Sequence, residues 1–173
     1  MTIEAAELEE RGKRAFAEKK YPEAAEYFAQ AADAFITGRA GSNAAEMKNN
    51  QSVALLQAGR PQEALEAALG TDEYFAGMND YKRQAMALGN QAAALDALKR
   101  YEEAIIKYER SAELFERVGA GEMRSMVLKS AAAIKLKTGK ITDSAFKMMG
   151  AVEAREKPTF FERVMRFILR FIR

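Results

Sequence analysis

A residue pattern that returns at every fortieth position runs through this 173-residue sequence and restricts the folds that it can adopt. The stretch 19–35, KKYPEAAEYFAQAADAF, returns at 99–115 as KRYEEAIIKYERSAELF, with its small and large apolar residues in the same register. Two series share the spacing of 40: Ala24, Ala64, Ala104 and Ser144, each preceded by an acidic residue, and Phe35, Phe75 and Phe115. Such a period is typical of repeat proteins, in which one small structural unit stacks on the next.

Each repeat unit is predicted to form two α-helices. Alanine is abundant while Val, Ile and Thr are sparse, which favours helix over strand. Gly59 lies where a helix C-cap needs a positive φ, and Pro61 lies in the first turn of the next helix, where a missing N–H costs nothing. The pattern predicts four helix pairs, at about 4–18 with 21–37, 43–58 with 61–77, 80–98 with 101–118, and 121–138 with 141–155.

Small residues recur on both helices of each pair and explain how the helices can pack. On the first helices they are Gly12, Ser52, Ala92 and Ala132, and a second series on the other helices is Ala31, Thr71, Ser111 and Ala151. Helices whose axes approach to about 8–10 Å need such residues at the contact. One helix pair cannot bury its own apolar face, so the pairs are expected to stack.

The sequence contains a recurring motif: a small residue, eleven residues, Ala, three residues, an aromatic residue, two residues and a small residue. This motif resembles that of the tetratricopeptide repeat (TPR) family. It stands here as Gly12, Ala24, Phe28 and Ala31, and returns as Ala92, Ala104, Tyr108 and Ser111. The usual period of that family is 34, and units with the longer period of 40 and long helices are similar to those of the soluble NSF attachment proteins. The resemblance implies a right-handed α-solenoid of four helix hairpins over residues 1–157, in units of about 4–41, 42–79, 80–119 and 120–157. Residues 158–173 are predicted from their own residue pattern to form a further, C-terminal amphipathic helix.

The TPR resemblance also implies a binding site, because such proteins hold a peptide or a partner helix in a concave groove lined by their first helices. Carried onto this sequence, the groove residues are Lys13, Asn49, Asn50, Gln57, Asn90, Asp96 and Lys129. An Asn amide offers one acceptor and two donors, enough to hold the backbone of an extended peptide. The alternative is that these amides are merely exposed or bond to local backbone. Glu9 and Met86 stand where the chaperone-binding TPR proteins need basic residues, which argues against a chaperone tail as ligand.

Catalysis, cofactors and metal ions are not expected. The chain has neither Cys nor His, which removes the commonest general base, the thiolate nucleophile and the commonest transition-metal ligands. No set of nucleophile, base and orienting group is visible, and no phosphate-binding glycine motif follows a strand. Nucleic acid is not expected as a partner either, because the aromatic residues lie on apolar faces and are not interleaved with the basic ones.

The C-terminal segment after Pro158, TFFERVMRFILRFIR, is predicted to form a basic amphipathic helix. Its arginines fall on one side and its Phe, Ile, Leu, Val and Met residues on the other. The residues expected to contact a membrane or a partner are Phe160, Phe161, Arg163, Arg166, Phe167, Arg170 and Phe171. Three roles remain open: a cap on the last repeat, a helix lying on an anionic membrane surface, and insertion into a partner or a second copy.

These features together predict a non-catalytic adaptor that binds a peptide or helix of a partner protein. The alternative is a structural subunit that forms a homo-oligomer through its C-terminal helix. Charge is uneven, with 8 basic against 14 acidic residues at 1–80 and 19 against 11 at 81–173. The sequence shows no basic, apolar signal peptide at its start and no stretch of about 20 apolar residues, so we expect a cytoplasmic location, with or without attachment to a membrane surface.

Overall fold

The computed structural model describes residues 3–139, which are α-helical throughout apart from the turns and a break between α4 and α5. The helices are α1 (Ile3–Ala17), α2 (Tyr21–Thr37), α3 (Gly41–Gln57), α4 (Pro61–Ala68), α5 (Thr71–Gly77), α6 (Tyr81–Ala97), α7 (Tyr101–Arg117) and α8 (Gly121–Lys137). The all-α prediction is confirmed for this part of the chain, and apart from the break the predicted helix ends agree within two residues. The predicted helix at 141–155, the C-terminal helix and the boundary at 157/158 lie outside the described residues.

Most of the described helices pack against the helix that follows in the sequence. Contacts join α1 to α2, α2 to α3, α3 to α4, α5 to α6 and α6 to α7, and α3 also contacts α5 and α6. The first helices of the second and third repeats, α3 and α6, are therefore direct neighbours. By its contacts the chain divides into two compact units, Met1–Ala132 and Ala133–Arg173, with the boundary inside α8.

The two periodic series form the core of the described helices, as the sequence predicts. Ala24, Ala64 and Ala104 are each 0% exposed, while the phenylalanines that fill the wider space near the end of each helix pair are almost as deeply buried. Gly12 shows how tight the small-residue contact is, because a Cβ placed there would lie 2.7 Å from Cε1 of Phe28. Close packing at these points fixes the register of each helix against the next.

A residue with positive φ ends a helix at every twentieth position of the described chain. These residues are Lys19, Arg39, Gly59, Asn79, Lys99, Gly119 and Gly139, with φ between 56° and 75°. In each of the six turns whose following residue is described, the N–H of that residue donates to a carbonyl five residues back, as from Arg60 to Leu55 at 2.9 Å and from Arg100 to Leu95 at 2.9 Å. This 6→1 bond in a left-handed turn is the Schellman motif, which satisfies a helix's last carbonyls.

The single helix predicted at 61–77 is wrong, because the structure breaks it between α4 and α5. Leu69 has an extended backbone (φ −59°, ψ 135°) and Gly70 is left-handed (φ 78°). The break frees the Ala68 carbonyl, which accepts from Thr71 Oγ1 at 2.7 Å and from Gln91 Nε2 at 2.9 Å. Gln91 is completely buried and also donates to Asp72 Oδ1 at 2.7 Å. Glycine accepts the left-handed backbone, and the two side chains replace the lost helical bond.

Arg83 joins three helices at the junction of the second and third repeats. Its Nη1 donates to Ser42 Oγ at 2.7 Å, its Nε donates to Asp80 at 2.7 Å, and its guanidinium lies 4.8 Å from the centroid of the Phe75 ring. Asp80 in turn caps α6 by accepting from the Arg83 backbone N–H at 3.0 Å. The arginine thus ties α6 to the start of α3 and to α5.

Candidate partner-binding surface

Most of the side chains predicted to bind a partner lie on accessible faces of the first helix of each repeat. We call this set, together with two exposed methionines, the first-helix surface: Lys13, Asn50, Gln57, Met86, Asn90, Asp96, Met126 and Lys129. Asn50, Asn90 and Ser130 are related by the period of 40 and are all partly exposed, and we call these equivalent positions on α3, α6 and α8 the polar row. Met86 and Met126 are likewise one period apart, at 44% and 68% exposed.

The amides of this surface are free to bond to a ligand. Within residues 3–139, the side chains of Asn50, Asn90 and Gln57 make no hydrogen bond to another protein group. Asn50 and Asn90 are partly exposed, whereas Gln57 is fully exposed at the end of α3. Neighbouring helices place such amides roughly 8–10 Å apart, about the length of three extended residues. The row therefore suits the backbone of a peptide that crosses the helices.

Asn49 is buried instead of lining this surface. It is 7% exposed, and its Oδ1 lies 3.1 Å from the hydroxyl of Thr71 on α5. The amide thus belongs to the polar cluster at the break between α4 and α5. Its prediction as an accessible binding residue does not fit this position, because the contact of α3 with α5 covers the side chain.

Lys13 is exposed but already neutralised by its own helix. Its Nζ lies 2.7 Å from Glu9 and 3.0 Å from Glu10. The hydrogen bond with Glu9, followed by that with Glu10, raises the pKa of the lysine above its ordinary value. A ligand carboxylate would have to compete with two internal ones, so this end of the surface does not offer a free cation.

The hydroxyl of Tyr108, a residue for which the repeat motif predicts only packing, interacts with Ser130 and is influenced by the charge of Asp96. Tyr108 is 6% exposed, and burial raises the pKa of its hydroxyl, while a hydrogen bond with Ser130 opposes the rise and the charge of Asp96 adds to it. The phenol therefore stays neutral and links α7 to the polar row. Asp96 remains partly accessible beside it.

Lys129 lies in an open depression along α8. The depression has a volume of about 600 Å³ and is lined by Gly121, Glu122, Ser125, Met126, Lys129 and Ser130. It combines one charge of each sign with an exposed methionine and two hydroxyls. Met126 and Ser130 were not among the predicted residues, although their positions follow from Met86 and Asn90 by the period of 40.

A second concave site between the first two repeats was missed in the sequence. The α2–α4 groove, of about 260 Å³, is lined by Ala25, Glu26, Ala29, Gln51, Leu55, Arg60, Glu63, Glu66 and Ala67. Glu26 and Glu66 occupy the same position of α2 and α4, one period apart. This repeated acidic position is the sequence signal from which the groove could have been predicted. The groove has small apolar residues in its floor and carboxylates at its rim.

The described part of the chain contains neither a candidate metal site nor a candidate membrane-spanning helix. No group of three or more acidic side chains there could hold a metal ion. Between residues 3 and 139 no helix combines the length and the apolar character needed to cross a lipid bilayer.

No protein-family model matches the chain, and a comparison with curated proteins finds no match. The predicted contact residues of the C-terminal segment, Phe160, Phe161, Arg163, Arg166, Phe167, Arg170 and Phe171, lie outside the described residues.

Proposed function

We propose that this chain is a non-catalytic adaptor that holds a peptide or helix of a partner protein against its first-helix surface. The observation that carries the proposal is the row of unbonded amides at Asn50 and Asn90, flanked by the exposed Met86 and Met126. Amides bind backbone without regard to sequence, and methionines adapt to apolar side chains of different shapes. A surface of this composition suits an extended or helical segment better than a small molecule.

The proposal includes the repeat architecture that the resemblance implies. The helix pairs would be repeats of a TPR-like right-handed α-solenoid, and the first-helix surface would be its concave side. The consecutive helix contacts, the regular register of the repeats and the close contact between Gly12 and Phe28 support this proposal. In such an array the accessible faces of the first helices form one continuous surface, long enough for a peptide to contact several repeats.

Site-specific photo-crosslinking tests the binding surface with a matched control. A photoreactive phenylalanine analogue is introduced in the full chain at Met126, which is 68% exposed, or at Ile106 on α7, which is 65% exposed. Proteins from the native host that bind the first-helix surface should be crosslinked from position 126 and not from position 106. Equal crosslinking from both positions would show non-specific contact and contradict the proposal.

Amide removal then tests the chemistry of recognition. The double variant Asn50→Ala/Asn90→Ala should weaken binding of the crosslinked partner about tenfold or more, since each lost hydrogen bond contributes about 1 kcal/mol. Gln30→Ala is the control, because Gln30 is an exposed amide on α2, away from the first helices. A partner that binds both variants as it binds the wild type would not be held by the amide row.

The C-terminal segment would cap the array, attach it to an anionic membrane surface from the cytoplasmic side, or join it to a larger complex. Its basic residues would each contribute about 1 kcal/mol at such a surface. Flotation of the full chain with anionic vesicles, compared with the variant Arg163→Gln/Arg166→Gln/Arg170→Gln, distinguishes the first two roles. Membrane attachment predicts that the wild type floats and the variant does not, and a pure cap predicts that neither floats. The alternative function, a structural subunit that self-associates, predicts an oligomer that depends on these same arginines.

A further inference from the structure

The α2–α4 groove carries more negative charge than its neighbourhood neutralises. Arg60 donates to Glu63 through Nε at 2.7 Å, and Glu66 accepts from Gln62 at 2.8 Å, which leaves its charge in place. Within the described chain Glu26 makes no ion pair. The pKa of Arg60 is raised mainly by its hydrogen bond with Glu63 and to a smaller extent by the charge of Glu26, which is therefore nearby. Three carboxylates thus face one guanidinium, and the rim has a net charge of about two negative units at neutral pH.

The floor of the groove can take apolar side chains. Ala25, Ala29, Ala67 and Leu55 form it, and three of the four are small enough to leave space between α2 and α4. One repeat later the same positions have changed, with Lys107 in place of Ala67 and Ile106 in place of Glu66. The combination of a small floor and an acidic rim therefore belongs to the junction of the first two repeats and is not repeated at the next one.

The chain itself contains a segment with the complementary composition. Residues 158–173 contain four arginines against one glutamate, and most of their other residues are Phe, Ile, Leu, Val or Met. This segment comes at the opposite end of the sequence from the groove. The groove is built by the helices of the first two repeats, α2 to α4, whereas the segment follows the described helices in the sequence. Contact between copies, head to tail, pairs two different parts of the chain in this way.

We propose that the α2–α4 groove binds the basic C-terminal segment, residues 158–173, of a second copy of this chain. Its arginines would pair with Glu26 and Glu66, and its apolar side chains would cover the alanine floor. Such a contact is heterologous, since the two copies use different surfaces, so assembly continues beyond a dimer unless it closes into a ring. The inference does not depend on the first-helix surface, so the two proposals can fail separately.

Light scattering on the full chain gives the first test. The wild type should form oligomers whose size grows with protein concentration. Measurements up to about 1 mM also detect a weak contact, with a dissociation constant of that order. At about 1 M salt, where the screening length is about 3 Å, the oligomers should dissociate. The variant Glu26→Lys/Glu66→Lys should raise the dissociation constant at least about tenfold, because lysines would face arginines. The control Asp33→Lys/Glu73→Lys makes the same charge change at another pair of exposed, equivalent positions on α2 and α5, and should assemble as the wild type does.

Mixing two defective variants gives the sharper test. One chain has Glu26→Lys/Glu66→Lys and an intact C-terminal segment, and the other has an intact groove and Arg163→Gln/Arg166→Gln/Arg170→Gln. Each alone should be monomeric, and an equimolar mixture should form a one-to-one heterodimer and nothing larger, because one functional groove meets one functional segment. Circular dichroism checks that both variants are folded. Should either fail to fold, a synthetic peptide of residues 158–173 added in excess to the wild type should dissociate its oligomers.

Three results would overturn the inference. A wild type that stays monomeric at every concentration has no such contact. Oligomers of the Glu26→Lys/Glu66→Lys variant as stable as those of the wild type would place the contact elsewhere. Loss of assembly in the arginine variant, with full assembly in the groove variant, would show that the segment binds another surface, such as a different face of its copy.

Discussion

The turns at Gly59 and Lys99 allow the cost of a left-handed residue to be measured twice in one protein, with opposite signs. The two positions are equivalent in the second and third repeats, with φ of 75° and 61°. Their N–H groups bond to equivalent carbonyls, from Gly59 to Leu56 at 3.1 Å and from Lys99 to Asp96 at 2.9 Å. The backbone geometry is therefore the same, and the side chain is the variable.

Exchanging the residue types should shift stability in both directions. A Cβ at Gly59 would meet nothing within 4 Å, so Gly59→Ala acts through backbone strain alone. A left-handed L-residue costs about 1–2 kcal/mol, and the lower chain entropy of alanine in the unfolded state returns roughly 0.5–1 kcal/mol. We expect Gly59→Ala to destabilise the protein by about 1 kcal/mol. Lys99→Gly should stabilise it by about 0.5–1 kcal/mol, a little less because the lysine also interacts with the helix dipole.

Urea unfolding followed by circular dichroism measures both changes, with Gly77→Ala as a control. Gly77 is the last residue of α5, it has an ordinary φ, and a Cβ there also meets nothing within 4 Å. That variant should be neutral or slightly stabilising, because alanine favours helix. The midpoint of thermal unfolding should shift by about 2–4 °C for each kcal/mol in a chain of this size. If both turn variants changed stability in the same direction, the left-handed backbone would not be the cause.

Variants at three further positions test the packing and the polar contacts. Gly12→Ala should destabilise the protein by about 1 kcal/mol in urea unfolding, because the clash with the buried Phe28 ring outweighs the gain in helix propensity. Asp80→Ala should cost about 1 kcal/mol at neutral pH. The pKa of Asp80 is lowered chiefly by the hydrogen bond from the Arg83 backbone N–H and less by the Arg83 side chain. The stability difference between wild type and variant should therefore be constant above about pH 5 and disappear as pH falls through the lowered pKa. A stability difference that grew in acid would contradict this cap. Gln91→Glu should cost at least about 3 kcal/mol, because it puts a buried carboxylate between two acceptor oxygens, whereas Gln91→Met should cost clearly less; equal costs would show that the two hydrogen bonds donated by the amide do not decide the residue at this position.

Periodicity predicted the helices and the core because both depend on local residue type. Ala24, Ala64 and Ala104 recur at a helical contact where nothing larger fits, and they are completely buried. The turn glycines Gly59 and Gly139 mark helix ends for a similarly local reason. These features need no knowledge of what lies far away in the chain.

The break between α4 and α5 could not be predicted in this way. A single glycine inside a helical pattern usually leaves the helix intact, at a cost of about 1 kcal/mol. At Gly70 the outcome depends on Gln91, which lies on α6 and reaches the freed carbonyl of Ala68. The signal that decides the local backbone is thus a tertiary contact.

For the proposed binding surface, the sequence predicted which positions of the first helices are accessible at Asn50 and Asn90, and it failed at Asn49. The period places Asn50 and Asn90 on accessible faces of α3 and α6, where the structure has them. The adjacent Asn49 turns inwards, because α5 comes close enough to α3 for Thr71 to reach it. The α2–α4 groove was missed because its walls come from three helices, and a pattern along one helix does not show where two others diverge.

Gly70 and Gln91 form a matched pair, and this limits how far the repeats can be exchanged. At the places equivalent to Gly70 the first and third repeats have Gln30 and Arg110, both inside unbroken helices. A chimera that takes the residue of the first or third repeat at position 70 would place a helix former there and close the gap. Its Ala68 carbonyl would then be occupied within the helix, and the buried Gln91 would lose one of its two acceptors. Anyone shortening, duplicating or recombining this array has to transplant the glycine and the glutamine together.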